Sequence, residues 1–278
     1  KVPFEGDQTL AREVGGIDLV VGGHSHTTLL RPLRDARNGT LIVQAGCYLV
    51  RAGRATLTLD AKTHKVLARE DELVELRPER VGSDASVQAI VARHQQAVGK
   101  LFETVIATAA AAMNREADRE SGLGSWMADC YKDWAGVDAA FQNGGGIRAD
   151  IPAGPMTPRT IFNVMPFDNA LVKLQMKGAV LRDVLAHGAG MARINQIAGP
   201  TVVFRRGKPK GERLVSAELG GAPLDDAKTY SVAALDFIVM GGDGFNAFSQ
   251  ADAGEPTGGL AREVLRQCAE RQKTVVAP

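Results

Sequence analysis

The sequence predicts a mixed α/β chain in two parts, and three observations lead to that reading. Short β-branched runs such as Ile17–Val21 alternate with segments whose apolar residues recur at helical spacing. A helical stretch that starts at Ser83 and stops near Gly99 separates a strand-rich first part from a second part in which helices and strands alternate. Glycine-rich strings at 22–23, 144–146 and 241–244 follow short apolar runs, as expected where regular structure hands over to a loop that approaches a ligand.

Composition narrows the function classes. The 278 residues suffice for one large domain or two of medium size, and the 45% hydrophobic content supports a packed core. Thirty-three Lys and Arg against 32 Asp and Glu leave a net charge of +1, which argues against a protein that coats a nucleic-acid polymer. Cys47, Cys130 and Cys268 lie far apart without CxxC spacing, so neither a zinc ribbon nor a disulfide framework is readable. No run of 18 apolar residues suggests a membrane span. The chain opens on Lys1 rather than Met, so the lack of a secretory leader carries no weight. Oligomeric state is not readable.

Taken in order, Leu10–Val14 ends a helix at Gly15-Gly16, and Ile17–Val21 is a strand. Strands are expected at Thr40–Ala45, Ala55–Leu59 and Lys65–Leu67, with turns between them. In the helix from Ser83, Val87, Ile90, Val91 and Val98 form an apolar stripe, with His94 on or near it, read as packing. Thr104–Ala112 is a strand, and Ser125–Trp134 a helix with Trp126, Met127, Cys130 and Trp134 at core spacing. Thr157-Pro158 is an N-cap followed by Pro at the first helical position, and that helix stops at Pro166. Strands follow at Ala170–Gln175, Thr201–Phe204, Leu214–Leu219 and Tyr230–Leu235. Helices are expected at Ala179–His187 and Gly258–Gln272.

Two strings carry chemistry. In Asn143-Gly144-Gly145-Gly146-Ile147-Arg148, three residues without a Cβ let backbone N–H groups approach a ligand and form an anion nest. Arg148 adds a planar cation suited to phosphate. In Gly22-Gly23-His24-Ser25-His26, two histidines at i and i+2 after a strand can point at one metal ion. A tight turn with a surface arginine and a pair of exposed loop histidines would be the ordinary accounts of either string alone.

Together, and in this order, the two strings resemble the motifs of the 5′-nucleotidase family. The resemblance implies a remnant of a metallophosphoesterase β-sandwich at 1–80, a linker helix at 81–102 and a 5′-nucleotidase C-terminal α/β domain at 103–278. It implies that His24 and His26 close a site for two divalent ions such as zinc or manganese in the full protein. It also implies that Asn143, Gly146 and Arg148 hold the ribose and phosphate end of a nucleotide. The Arg-Glu-x-x-Leu-Gly element is similar to the segment that delivers a phosphate-binding arginine. Arg115 and Arg119 are its candidates, and Arg119, which abuts Glu120 and Leu123-Gly124, is preferred.

Phe167 follows Pro166, and Phe245 follows Gly241-Gly242-Asp243-Gly244. In the family these aromatics clamp the base, which fits their placement in loops and the strength of base–aromatic stacking, about 1–3 kcal/mol per base. Asn169 matches an amide beside the base edge. Asp252 is the nearest candidate for the aspartate on the ribose hydroxyls, close to the family's spacing but not at it.

Only 23 residues precede His24, leaving no room for the family's remaining metal-ligand and catalytic motifs. The expectation is therefore a C-terminal part: inactive alone, with no catalytic residue of its own, from a periplasmic or secreted metal-dependent nucleotide phosphohydrolase. The alternative is a non-catalytic nucleotide-binding module. Thiosulfate-ester hydrolases share the architecture but need no base clamp, so Phe167 and Phe245 count against them. Either favoured reading gives a nucleotide or nucleoside as ligand and no nucleic-acid polymer as partner.

Overall fold

The computed structural model describes residues 5–252 and 254–278. The chain divides into two compact units, one up to His94 and one from Gln95.

The first unit starts with α1 (Glu5–Glu13), then β1 (Leu19–Val21), β2 (Leu33–Arg34) and β3 (Leu41–Val43). These strands form a small sheet in the order β1-β3-β2, with β1 parallel to β3. Its core is Ala11, Val20 and Ile42, with Ile17, Leu29 and Leu33 packed against them. A hairpin of β4 (Arg51–Leu59) and β5 (Val66–Glu75) follows. The strand expected at Lys65–Leu67 extends to Glu75 through a charged run, because its pairing rests on the ladder and on opposite charges across it. Arg54 faces Glu72 in register and pairs with it at 2.6 Å. Then come α2 (Pro78–Val81) and α3 (Ala85–Glu103). The latter runs past Gly99, and none of its residues is buried. The stripe of Val87, Ile90, Val91 and Val98, and His94 beside it, is exposed rather than packed.

The second unit continues with β6 (Ala107–Ala109), α4 (Gly122–Ala135), β7 (Ala139–Gln142), β8 (Gly154–Met156) and α5 (Pro158–Val164). Next are β9 (Ala170–Lys177), α6 (Gly178–Gly190), β10 (Gln196–Ala198), β11 (Pro200–Phe204), β12 (Leu214–Leu219) and β13 (Ala222–Pro223). It ends with β14 (Thr229–Leu235), α7 (Asp236–Val239), β15 (Glu255–Leu260), α8 (Ala261–Gln272) and β16 (Thr274–Val275). The expected Thr157 cap holds, forming a capping box with Thr160 ahead of Pro158. Helix α4 starts three residues before the expected Ser125, because Ser121 caps it by accepting from Gly124 N. The residues at 258–260, expected to begin the last helix, instead extend β15 along β9, and the strand expected over Thr104–Ala112 shortens to three residues.

A five-stranded sheet, ordered β10-β7-β14-β9-β15, organises this unit. β7 and β14 are parallel, whereas β9 and β10 run antiparallel to their neighbours. The register sets Gln196 opposite Gln142, and Leu171 opposite Leu235. The ends of β7 and β14 and the starts of β9 and β10 therefore share one edge.

Helix α4 packs Trp126, Met127 and Tyr131 into the core, and α8 contributes Val264 and Leu265. Between the two helices Cys130 and Cys268 form a disulfide, with Cα atoms 5.9 Å apart across a separation of 138 residues. The sequence alone gave no sign of this bond. Both cysteines sit at core positions of amphipathic helices, and only the pairing of the helices reveals the bond. Among the described residues no helix is long and apolar enough to cross a membrane.

Candidate functional site

Four segments meet at the shared sheet edge: the turn after β7, the loop before β9, the segment after β14 and the stretch before β10. This is where open α/β sheets place ligands, beyond the carboxyl ends of parallel strands.

The turn after β7 is a single 3₁₀ turn, Gly144–Gly146. Its glycines act differently from the sequence expectation. A Cβ on Gly144 would stand 2.4 Å from the Ile194 carbonyl, and one on Gly146 would stand 2.6 Å from Gln142 Nε2 and 2.7 Å from Asn143 Oδ1. Gly144 and Gly146 thus let the turn bed down on its own scaffold, and only Gly145 is half-exposed. Gln142 braces that scaffold. Its Oε1 accepts from Tyr131 Oη at 3.1 Å, and its Nε2 donates to the Asn143 carbonyl at 2.8 Å. Burial pushes the Tyr131 phenol well above its ordinary value, so it remains a donor.

Asn143 Nδ2 donates to Asp243 Oδ2 at 2.8 Å, which joins the β7 turn to the loop that follows α7. Asp243 sits in the left-handed region at φ 55°. His187 Nε2 lies 3.0 Å from its carbonyl oxygen. Arg148 donates to the Gly145 carbonyl at 3.1 Å, and its guanidinium lies 5.8 Å from the Phe167 ring centre. Phe167 is 42% exposed. Its loop is held from α8: Arg262 donates to the Phe167 carbonyl at 3.2 Å and to Asp168 Oδ1 at 2.5 Å. Asn169 donates to Asp236 Oδ1 at 2.7 Å, and its carbonyl accepts from Ala261 N at 2.9 Å.

Three expected site residues depart from this group. Phe245 is 1% exposed, with its ring edge-on to His187 at 4.5 Å and tilted against Phe248 at 6.0 Å. Its faces are taken up by protein, so it does not offer a clamp surface opposite Phe167. A phenylalanine after three glycines could turn in or out, and apolar burial against Phe248 turns it in. Asp252 bonds through its backbone N to the Gln175 carbonyl at 2.9 Å. Gln175 is four positions along β9 from Leu171, about 13 Å from the loop edge at the usual strand rise. Arg119 is 71% exposed on its side chain and pairs with Glu116 at 3.4 Å. Arg115 instead reaches the turn, through Nη1 to the Arg148 carbonyl at 2.5 Å and its backbone N to Asp150 Oδ1 at 2.8 Å. Of the two arginines, Arg115 is the one bonded to the segment just after the glycine turn, at Arg148 and Asp150.

Asp236, Asp243 and Arg262 were not singled out from the sequence. Asp243 lies within the glycine string, a signal that could have found it. Its partner Asn143 is 100 positions away, so the contact itself has no local signature.

In the first unit, His24 and His26 follow β1 on an exposed loop. Both adopt φ near +60°, at 62° and 59°, a conformation that costs non-glycine residues about 1–3 kcal/mol each. Between them, Ser25 Oγ accepts from Gln44 Nε2 at 2.8 Å, and His26 meets Tyr48 edge-on at 5.4 Å. Among the described residues no group of three or more His, Cys, Asp or Glu is placed to hold a metal ion. Two imidazoles fall short of the ligand set that zinc-like ions require, so the described residues do not fit a complete metal centre.

Comparison with known proteins agrees with this architecture. The family profile described as 5′-nucleotidase, C-terminal domain, matches residues 99–250, more than half of the chain. The structure is similar to that of a 5′-nucleotidase precursor from Thermus thermophilus, with a TM-score of 0.82 and 32% identity over 98% of this chain and 60% of that one. Among curated proteins, the trifunctional nucleotide phosphoesterase protein YfkN of Bacillus subtilis is 27% identical over 98% of this chain and 20% of its own length. Snake venom 5′-nucleotidase of Gloydius brevicauda is 26% identical over 98% of this chain and 54% of its own. The chain thus spans about half the length of the venom enzyme and a fifth of YfkN.

Proposed function

From the premise that this chain belongs to the 5′-nucleotidase C-terminal domain family, we propose that its second unit binds nucleotides for a metal-dependent 5′-nucleotidase. The observation that supports this most is the meeting of Asn143, Arg148, Phe167 and Asn169 at one sheet edge, from loops 26 positions apart at the extremes. A half-exposed ring beside a guanidinium suits a ligand with a flat base at one end and an anion at the other. In this reading the base stacks on Phe167 alone, and Phe245 supports the Gly241–Gly244 loop from beneath. Arg148 meets the phosphate end, with Arg115 fixing the backbone that carries it. Asn143 and Asp243 offer an amide and a carboxylate to the ribose hydroxyls.

The hydrolytic step belongs to the whole protein in this proposal, and no step is assigned to residues of this chain. His24 and His26 would contribute two ligands to a metal shell that needs more. A non-catalytic nucleotide-binding module is the second reading, favoured by the contrast between the populated sheet edge and the two-histidine loop. Phosphate release from AMP with added Mn²⁺ separates the two readings. This chain alone is expected to stay at the no-protein blank, and the complete gene product is expected to turn over only if the first reading holds. The Cys130–Cys268 disulfide supports a periplasmic or secreted location.

The binding proposal is tested by titrating adenosine and AMP into the 278-residue chain. Phe167→Ala is expected to weaken both by about 1–3 kcal/mol, the range for one lost stack. Arg148→Ala is expected to weaken AMP more than adenosine. Equal loss for both ligands in Arg148→Ala, or unchanged binding in Phe167→Ala, would remove the support for this site.

A further inference from the structure

In the sequence His187 is no more than the last residue of an expected helix. The fold brings it to the loop that carries Asp243. It stands in the last turn of α6, whose Leu181, Val184 and Leu185 are buried in the core, so a fixed element carries the ring. Its Nε2 lies 3.0 Å from the Asp243 carbonyl oxygen. A carbonyl oxygen only accepts, so Nε2 carries the proton in this bond. The ring meets Phe245 edge-on at 4.5 Å, and a Cβ on Gly244 would stand 3.3 Å from its Cε1. The imidazole is therefore seated against the loop as well as bonded to it.

Asp243 needs such a hold. Its φ of 55° and ψ of 17° are left-handed inside a 3₁₀ segment, a conformation that a non-glycine residue keeps only where its surroundings over-determine it. The residue is exposed, so close packing does not supply the constraint. Two hydrogen bonds do, from His187 to its carbonyl and from Asn143 Nδ2 to its Oδ2 at 2.8 Å. The first fixes the peptide plane that follows the Asp243 Cα. The second turns the carboxylate to the glycine turn, where a Cβ on Gly145 would stand 3.8 Å from Oδ2. A carboxylate has about four acceptor sites, so one amide leaves capacity for a pair of ligand hydroxyls.

We propose that His187 is a positioning residue that gives this site its preference for ribose. Through the Asp243 carbonyl it aims the carboxylate at the vicinal 2′- and 3′-hydroxyls of a nucleoside, which donate to it. The proposal rests on the nucleotide reading of the site and adds to it the class of sugar and the residue of α6 that selects it. The preference is modest, because water reaches an exposed carboxylate when the hydroxyls are missing.

Adenosine and 2′,3′-dideoxyadenosine are the probes, titrated into the whole chain. The unmodified chain is expected to bind adenosine about fivefold more tightly, the factor for roughly one net hydrogen bond. His187→Phe keeps a ring against Phe245 but has no donor. It is expected to lose most of the preference by weakening adenosine, with dideoxyadenosine held within about twofold, which also shows that the variant is folded. His187→Gln, whose amide can donate to the same carbonyl, is expected to restore the preference. Equal affinity of the two nucleosides for the unmodified chain would overturn the proposal. So would a His187→Phe variant that keeps the full preference or weakens both nucleosides alike, or a His187→Gln variant that behaves as His187→Phe does. Each of these results leaves the nucleotide reading standing. Failure of both nucleosides to bind the unmodified chain would remove that reading, and this proposal with it.

Discussion

The two units of this chain reach regular structure by different means. The unit from Gln95 buries a continuous core from Ala107 to Val275, with Trp126, Tyr131 and Phe141 at its centre. Among the described residues, the unit up to His94 gathers Ala11, Val20 and Ile42 into a small core and leaves Val21, Leu30, Tyr48 and Leu49 bare, the last at 82% exposure. Both have well-formed strand ladders. Backbone hydrogen bonding alone therefore suffices for strands, but only burial holds side chains where a site needs them. The residues proposed to meet a nucleotide stand on loops at the edge of the deeply packed sheet, whereas the paired histidines stand on a loop in the lightly packed unit.

The largest test of this contrast is the Cys130–Cys268 disulfide, which closes a long loop across the second unit. Replacing both cysteines with serine is expected to lower the stability of that unit by about 4–5 kcal/mol on chain-entropy grounds. Urea unfolding with hydrogen exchange read out at β7, β9 and β14 measures it, and a loss below 1 kcal/mol, roughly a single ordinary hydrogen bond, would mean that packing alone fixes α4 on α8.

Core truncations come next. Phe141→Ala removes a fully buried ring and is expected to cost about 3–5 kcal/mol. Ile42→Ala, in the small core, is expected at or below about 2 kcal/mol, the low end for such a change, because few neighbours lose contact. Equal costs would show that the first unit is better packed than its short list of core residues suggests.

Much of the second unit was legible in the sequence because local and tertiary preferences agree there. The Thr157-Pro158 cap, the strand at Leu214–Leu219 and the helix through Trp126 and Cys130 all follow from spacing and capping alone. The loops that carry Asn143, Arg148, Phe167 and Asn169 were legible as motifs. What those loops touch was not. The bonds of Asn143 to Asp243 and of Arg262 to Asp168 join positions 100 and 94 apart, and no periodicity encodes them. Phe245 shows the limit most plainly. A motif gives the residue type, but the direction of its ring is decided by Phe248 and His187. The exposed stripe of α3 shows the converse, an amphipathic pattern without a described partner.

That difference between the two phenylalanines gives the third test. Phe245→Ala is expected to destabilise the second unit by about 3 kcal/mol, as a buried ring should, while adenosine affinity measured well below the midpoint of unfolding changes little. Phe167→Ala, at a half-exposed ring, is expected to do the reverse, within about 0.5 kcal/mol in stability. If Phe245→Ala lowers adenosine affinity as much as Phe167→Ala does while the fold stays intact, the ring turns outward when ligand binds, and the two-sided clamp is restored.

The smallest expected effect contrasts two aspartates. Asp138 sits at the start of β7, where its Oδ2 accepts from Ser231 N and Ser231 Oγ, each at 2.8 Å, and ties β7 to β14. The backbone hydrogen bond from Ser231 is the chief reason its carboxyl titrates below the ordinary value, with the Ser231 hydroxyl adding to it and partial burial opposing it. A carboxylate whose folded-state pKa is lowered contributes stability above its unfolded pKa, and that contribution disappears as the pH falls through the folded value. Asp138→Ala is therefore expected to cost about 1 kcal/mol near neutral pH, the usual net worth of such hydrogen bonds at an exposed position, and almost nothing in strong acid. Asp18, in the first unit, pairs with Arg69 through a carboxylate that is half-exposed. Asp18→Ala is expected to cost less than about 1 kcal/mol, the ordinary ceiling for a surface ion pair, and to cost less still in high salt. Salt should weaken the Asp138 effect only slightly, because its hydrogen-bond partners are a backbone N–H and a hydroxyl, with Lys228 and Lys132 adding smaller charge contributions. Urea unfolding of the two variants, at neutral and acid pH and at low and high salt, measures all of this. An Asp138 effect that fades in salt but persists in acid would mean that charge, not the strand-joining hydrogen bonds, is what Asp138 contributes.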